Sequence, residues 1–167
     1  FGAQVHLLEP SDHVMSREDR EAAEIVQKRM IKDGVKLYTQ MKVVKVDVKG
    51  SDKVVTIDQG GRLTEIPCDA ILVGAGRAPN VENLGLEKAG VAFDAKNGVQ
   101  VDDCLQTTNP RIYAAGDVAS RYKFTHAADF LARTVIENAL FKTGLLSIAG
   151  RKKASSLTIP WCTYTDP

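Results

Sequence analysis

Two short, uninterrupted apolar runs constrain this chain most. One is Ala70-Ile71-Leu72-Val73, stopping at Gly74; the other is Ile112-Tyr113-Ala114-Ala115, running into Gly116-Asp117. Each is strand-sized and lacks the polar–apolar alternation of a half-solvated strand. Runs of this kind suit strands buried on both faces of a parallel sheet.

The flanking segments fit an α/β chain. Val5-His6-Leu7-Leu8 is a further apolar run closed by Glu9-Pro10, and Gly2 before it has the position of a residue just past a helix. Ser16-Arg17-Glu18-Asp19 has the spacing of a helix cap with an acidic third residue. Over residues 18–32, Ala22, Ile25, Val26, Arg29 and Met30 recur at helical spacing until Asp33-Gly34, so an amphipathic helix is expected to pack there on a sheet. Residues 35–38 read as a short strand, and Val43, Val46 and Val48 as part of a longer one. Lys49-Gly50-Ser51-Asp52 and Gln59-Gly60-Gly61 turn the chain into strands over 53–58 and 62–66, a meander of polar-faced hairpins.

Beyond residue 80 the chain is turn-rich, with a short strand expected at 98–101. A long helix is expected over 125–142, stopped by Gly144. Gly150-Arg151-Lys152-Lys153 reads as a basic surface linker, and Leu157-Thr158-Ile159-Pro160-Trp161 as the start of a new strand.

Composition narrows the function classes. The 167 residues are 44% apolar and 26% charged, as in a soluble globular protein, and the formal net charge of +1 offers nothing to draw nucleic acid or an anionic membrane. Neither a membrane-spanning run nor a secretory signal is legible, so the cytoplasm is the expected compartment. Cys68, Cys104 and Cys162 are scattered and form no C-x-x-C pair, which leaves them as packing thiols rather than a zinc site or a redox dithiol.

Three strand ends carry the candidate chemistry. A carboxylate such as Glu9, at the end of a strand in a dinucleotide fold, accepts hydrogen bonds from adenosine ribose hydroxyls and repels a 2′-phosphate; elsewhere it is a solvated surface group. Gly74 and Gly76 either let the backbone approach a ligand or form an ordinary tight turn. Asp117, at a strand tip behind Gly116, either receives ligand hydroxyls or caps the helix that follows. His126 at the helix start reads as a packing residue, as do Trp161 and Tyr164, and His6 and His13 carry no assigned role. No catalytic residue and no metal ligand is assigned.

Taken in order, Glu9, Gly74-Ala75-Gly76-Arg77-Ala78-Pro79-Asn80, Thr107-Thr108-Asn109-Pro110-Arg111-Ile112-Tyr113-Ala114-Ala115-Gly116-Asp117 and Ile159-Pro160-Trp161-Cys162-Thr163-Tyr164-Thr165-Asp166-Pro167 resemble the pyridine nucleotide-disulfide oxidoreductases. The family takes in dihydrolipoamide-dehydrogenase-like and mercuric-reductase-type members, and Phe124-Thr125-His126-Ala127-Ala128-Asp129 and the Ile-Pro-Trp segment are most similar to the mercuric-reductase-type ones. The resemblance covers essentially the whole chain. It implies a Rossmann-like, three-layer FAD/NAD(P)-binding fold, present in part: residues 1–75 from the NAD-binding domain, 76–150 the returning part of the FAD-binding domain, and 151–167 a linker with the first strand of a dimerisation domain.

The resemblance also implies roles. Glu9 would hold the NAD adenosine ribose, favouring NADH over NADPH, with the Val43 backbone along the adenine and Gly76 beside the nicotinamide half. Asp117 would bind the ribityl or pyrophosphate region of FAD. The backbone of Lys123, Phe124, Thr125 and His126 would approach the flavin ring, where a helix dipole stabilises an anionic reduced flavin. The parent would be a homodimer passing electrons from NADH through FAD to a disulfide, metal-ion or quinone-like acceptor. The family's two glycine loops and its C-x4-C disulfide would precede Phe1, and its interface domain with an acid–base His-Glu pair would follow Pro167. The chain alone is therefore expected to be inactive and to fold poorly or associate. The competing expectation is a non-catalytic nucleotide-binding module.

Overall fold

The computed structural model describes residues 2–142 and 150–166. These form two compact units: one runs to Gly74 and takes in the chain from Cys162, and the other is Ala75–Trp161. The stretch 151–167, expected to open a further domain, is thereby divided between them.

In the first unit, β1 (His6–Glu9) and β2 (Lys36–Thr39) pair in parallel through the crossover helix α1 (Arg20–Lys32). The helix starts three residues later than the Ser16 spacing suggests. Its cap is Asp19, whose carboxylate accepts the N–H groups of Glu21 and Ala22, so the orphan donors of the first turn are met there. Its end falls as expected, with Gly34 at φ +93°. The buried face differs as well. Ala23 is fully buried and Val26 and Met30 are half-buried, whereas Ile25 is 71% exposed, so the inward stripe runs through Ala23 rather than Ile25.

A three-stranded antiparallel meander follows: β3 (Lys42–Lys49), β4 (Asp52–Gln59) and β5 (Arg62–Cys68), with β4 central and a bulge between Val43 and Lys45. Met41, Val55, Ile57 and Ile66 form its core, against which Leu8 of β1 and Tyr38 of β2 pack. Gln59 Nε2 donates to the Thr39 carbonyl and ties meander to parallel pair. The outcome is the expected layering of helix, parallel strands and antiparallel strands.

The second unit packs around Val81, Val91 and Val99. Its hairpin β6 (Phe93–Asp94) and β7 (Gly98–Val99) is shorter than the strand expected at 98–101; Val101 makes only an isolated bridge with Thr107. Helix α2 (Thr125–Ile136) continues as a π turn over Glu137–Phe141. Gly144, expected to stop it, lies outside the described residues.

Three expected strands are not formed. Residues 70–73 form no strand, and Leu72 is 98% exposed. Residues 112–115 are half-buried and hold one isolated bridge, Gln106 to Tyr113. Residues 157–161 pair with no described strand. An apolar run records the burial its side chains suit, but a strand also needs a neighbour to receive its N–H and C=O groups, and the described residues supply none.

The basic stretch at 151–153 is docked rather than a free linker. Arg151 donates through Nη1 to Gln106 Oε1 and through Nη2 to the Tyr113 hydroxyl. Asn138, 1% exposed, accepts the Lys152 N–H and donates to the Lys152 and Cys104 carbonyls. Asp103 takes both the hydroxyl and the N–H of Ser155, which hold its carboxyl below the usual carboxylate range.

Candidate functional site

The candidate residues fall in two groups, one in each unit. In the first unit, Glu9 ends β1 with Oε1 accepting the Ser11 N–H at 2.9 Å. That bond steadies the carboxylate at the carboxyl end of a parallel strand, the place where open α/β sheets hold ligands. The loop beyond carries a second polar arrangement. Arg20 Nη1 donates to Asp12 Oδ2 at 3.0 Å and Arg20 Nε to Glu24 Oε1 at 3.1 Å. The Arg20 hydrogen bond holds the Asp12 carboxyl below its ordinary range, and the bonds to Glu24 and Asp12 raise the guanidinium. Val43 lies on β3 opposite Ile57, directly before the bulge, with its side chain largely exposed. No described contact joins it to Glu9.

In the second unit the chain brings more of the expected residues together. Asp117 sits in a 3-10 turn, Gly116–Val118, with its carboxylate about half exposed. Gly116 has φ +78°, and a Cβ there would stand 3.3 Å from Ala128 Cβ, so glycine lets the turn lie against α2. Arg77, directly after Gly76, places Nη1 3.6 Å from Asp117 Oδ2, while Lys123 Nζ donates to the Asp117 carbonyl at 3.0 Å. Lys123 thereby fixes the turn to the chain two residues before the helix start.

Helix α2 begins after Phe124, whose extended backbone (φ −117°, ψ 142°) serves as cap residue, and no side chain caps the first turn. The leading N–H groups therefore keep their partial positive charge available to an anion or an electron-rich ring. Phe124 stacks on His126 at 5.5 Å and on Trp161 at 5.9 Å between centroids, while Thr125 and His126 are exposed. Asp117 does not cap α2, which removes one of its two sequence-level readings.

Elsewhere the second unit carries an open groove of about 260 Å³ lined by Gln100, Asp102, Gln106 and Thr107, which includes none of the candidate residues. Among the described residues no cluster of His, Cys, Asp or Glu could hold a metal ion, and no helix is long and apolar enough to cross a membrane.

Residues 1–130 match the family model described as pyridine nucleotide-disulphide oxidoreductase. The chain belongs to that family. Over 169 residues it is 36% identical to a dihydrolipoyl dehydrogenase of Thermus scotoductus, covering all of this chain and 35% of that protein. It is 34% identical over 167 residues to a mercuric reductase of Staphylococcus aureus, again over the whole chain and 29% of the relative. Among solved structures, the HOCl-induced flavoprotein disulfide reductase RclA from Escherichia coli matches with a TM-score of 0.78 at 26% identity, over 94% of this chain and 34% of that one. LpdA from Mycobacterium tuberculosis gives 0.72 at 30% identity, over 83% and 30%. The chain thus spans about a third of the length of these relatives.

In this pyridine nucleotide-disulphide oxidoreductase segment, sequence reasoning passed over two residues. Arg77 was legible only as a motif letter, although a cation next to a strand-end glycine is a candidate partner for the acid that closes the next run. Trp161 reads as packing, yet it is 59% exposed and stacked on Phe124. No local pattern links two aromatic residues so far apart in the chain.

Proposed function

We propose that this chain is an internal segment of a longer FAD-dependent oxidoreductase that takes electrons from NADH, in preference to NADPH, and passes them to a disulfide or metal-ion acceptor. Residues 1–75 would belong to its NAD-binding domain, 76–150 to its FAD-binding domain, and 151–167 would lead into its interface domain. The parent would be a cytoplasmic homodimer. The observation that carries the reading is the grouping of the Asp117 carboxylate, the Lys123 ammonium and the uncapped start of α2, in a chain that belongs to this family.

These residues fit a flavin dinucleotide. Asp117 offers an exposed acceptor for ribityl hydroxyls at a turn that Gly116 keeps close to α2, and Gly76, at φ +100°, leaves the neighbouring backbone open to a ligand. Lys123, Phe124, Thr125 and His126 present the amino end of a helix, whose dipole favours negative charge nearby. Bound FAD would supply a two-electron store between NADH and the acceptor. Glu9 would accept ribose hydroxyls of NADH, with the Val43 backbone along the adenine, and its charge would oppose a 2′-phosphate.

Flavin content of the full-length protein tests the reading. Asp117→Ala is expected to release most of the flavin while leaving the helical circular dichroism unchanged. Full flavin retention by that variant would remove Asp117 from the site. The isolated chain is expected to show no NADH-dependent disulfide reduction, and turnover by it would contradict the assignment as an incomplete segment.

A further inference from the structure

We propose that Trp161 is a positioning residue for the flavin: it stacks on Phe124 and, through that ring, sets the orientation of the amino end of α2. The inference rests on the reading of Lys123 to His126 as the flavin-facing segment and extends it to a residue outside that segment.

The helix start needs such a support. Its cap residue, Phe124, makes no side-chain hydrogen bond to the first turn. The Phe124 carbonyl accepts the Ala128 N–H at 3.0 Å, so the orientation of this peptide sets the direction of that turn. The Phe124 ring lies nearly parallel to two others: His126 at 5.5 Å and 13°, and Trp161 at 5.9 Å and 17°. Both fall within the range of offset stacking. His126 belongs to the first turn itself and moves with it. Trp161 comes from a different stretch of chain, so it is the ring that ties Phe124 to the rest of the second unit.

That stretch is itself anchored. Asn138 brackets the Lys152 backbone, Asp103 takes the N–H and hydroxyl of Ser155, and the Asp103 carbonyl takes the Ala154 N–H. Pro160, directly before Trp161, has a fixed φ and stiffens the approach. Most of the indole stays exposed, so the stack governs orientation more than folding stability. Orientation matters here because the partial positive charge of a helix start acts only over its first turn. A first turn that tilts away would hold a reduced, anionic flavin less well relative to the oxidised form.

The test is the flavin midpoint potential of the full-length protein, read by equilibrium redox titration, together with amide exchange at Ala128. Trp161→Ala is expected to favour the oxidised over the reduced flavin by about fivefold, a lowering of about 20 mV for a two-electron couple. It is also expected to speed exchange at Ala128. Trp161→Phe, which keeps a ring, is expected to restore both readouts. In a Phe124→Ala background, Trp161→Ala is expected to add nothing, because its effect passes through Phe124. An unchanged potential in Trp161→Ala overturns the inference, as does a shift that persists in Trp161→Phe or adds in full to that of Phe124→Ala. A protein that binds no flavin refutes the flavin reading and this role with it. A flavoprotein whose potential ignores Trp161 refutes this role alone.

Discussion

Gly98 couples the packing of the second unit to its candidate site. Its φ is +90°, and a Cβ there would collide with the Val118 carbonyl oxygen and stand 3.1 Å from Pro79 Cβ. Val118 ends the 3-10 turn that carries Asp117, so Gly98→Ala cannot be absorbed without moving that turn. The conformational cost of a side chain at positive φ is about 1–2 kcal/mol. Forcing the backbone apart adds about 1–3 kcal/mol, as for overpacking in a filled core. The sum, about 2–5 kcal/mol, is a large part of what a domain of this size can lose. Gly90→Ala is the control, because Gly90 also has positive φ (+67°) but no atom within 4 Å of its built Cβ. Urea unfolding of the full-length protein, followed by amide exchange at residues of the second unit, reads the difference. Gly98→Ala is expected to lower the midpoint clearly more than Gly90→Ala and, in the full-length protein, to reduce flavin content. Equal midpoints for the two variants would refute the close-approach argument.

Other perturbations test the rest of the account. Asn138→Ala leaves three backbone groups without partners and is expected to cost about 2–4 kcal/mol, with faster amide exchange at Lys152; unchanged exchange would refute the clamp. The Asp103 carboxyl is held low by Ser155, so its contribution is present above the unfolded value and lost as pH falls through the lower folded value. Acid titration followed by exchange at Ser155 is expected to release this contact only below the ordinary carboxylate range, and Ser155→Ala is expected to abolish that transition. Leu72 and Val73 are exposed on an unpaired segment, so the isolated chain is expected to self-associate on size exclusion and the Leu72→Lys, Val73→Lys double variant to do so less; equal elution would argue against this segment as the cause.

The first unit was largely legible because its signals are local. Period-3.6 spacing, the Asp33-Gly34 stop and the glycine turns place α1 and the meander within a few residues. The cap moved to Asp19 because its carboxylate reaches the N–H groups of Glu21 and Ala22, a geometry that the Ser16 spacing does not encode. Residues 70–73 and 111–115 misled for the opposite reason: their composition reports the burial they suit, while strand formation depends on neighbours that no local pattern contains. Arg151 likewise looked like part of a basic linker, since its bonds to Gln106 and Tyr113 span about forty residues. At the candidate site, Glu9 could be named as a strand-end residue, whereas Gly76 and Asp117 could be named from their motifs although neither ends a strand here. The Arg77–Asp117 pair, the Phe124–Trp161 stack and the Arg20 ion pairs needed the fold.

The central claim is that this segment carries flavin and NADH contacts of a larger reductase. Anaerobic rapid mixing of the full-length protein with NADH, followed by visible absorbance, addresses it most directly. A flavin spectrum that bleaches on mixing with NADH, faster than with NADPH and slowed by Glu9→Ala, is the predicted result. A protein purified without flavin that binds none on reconstitution, or a flavin that NADH leaves oxidised, would contradict it.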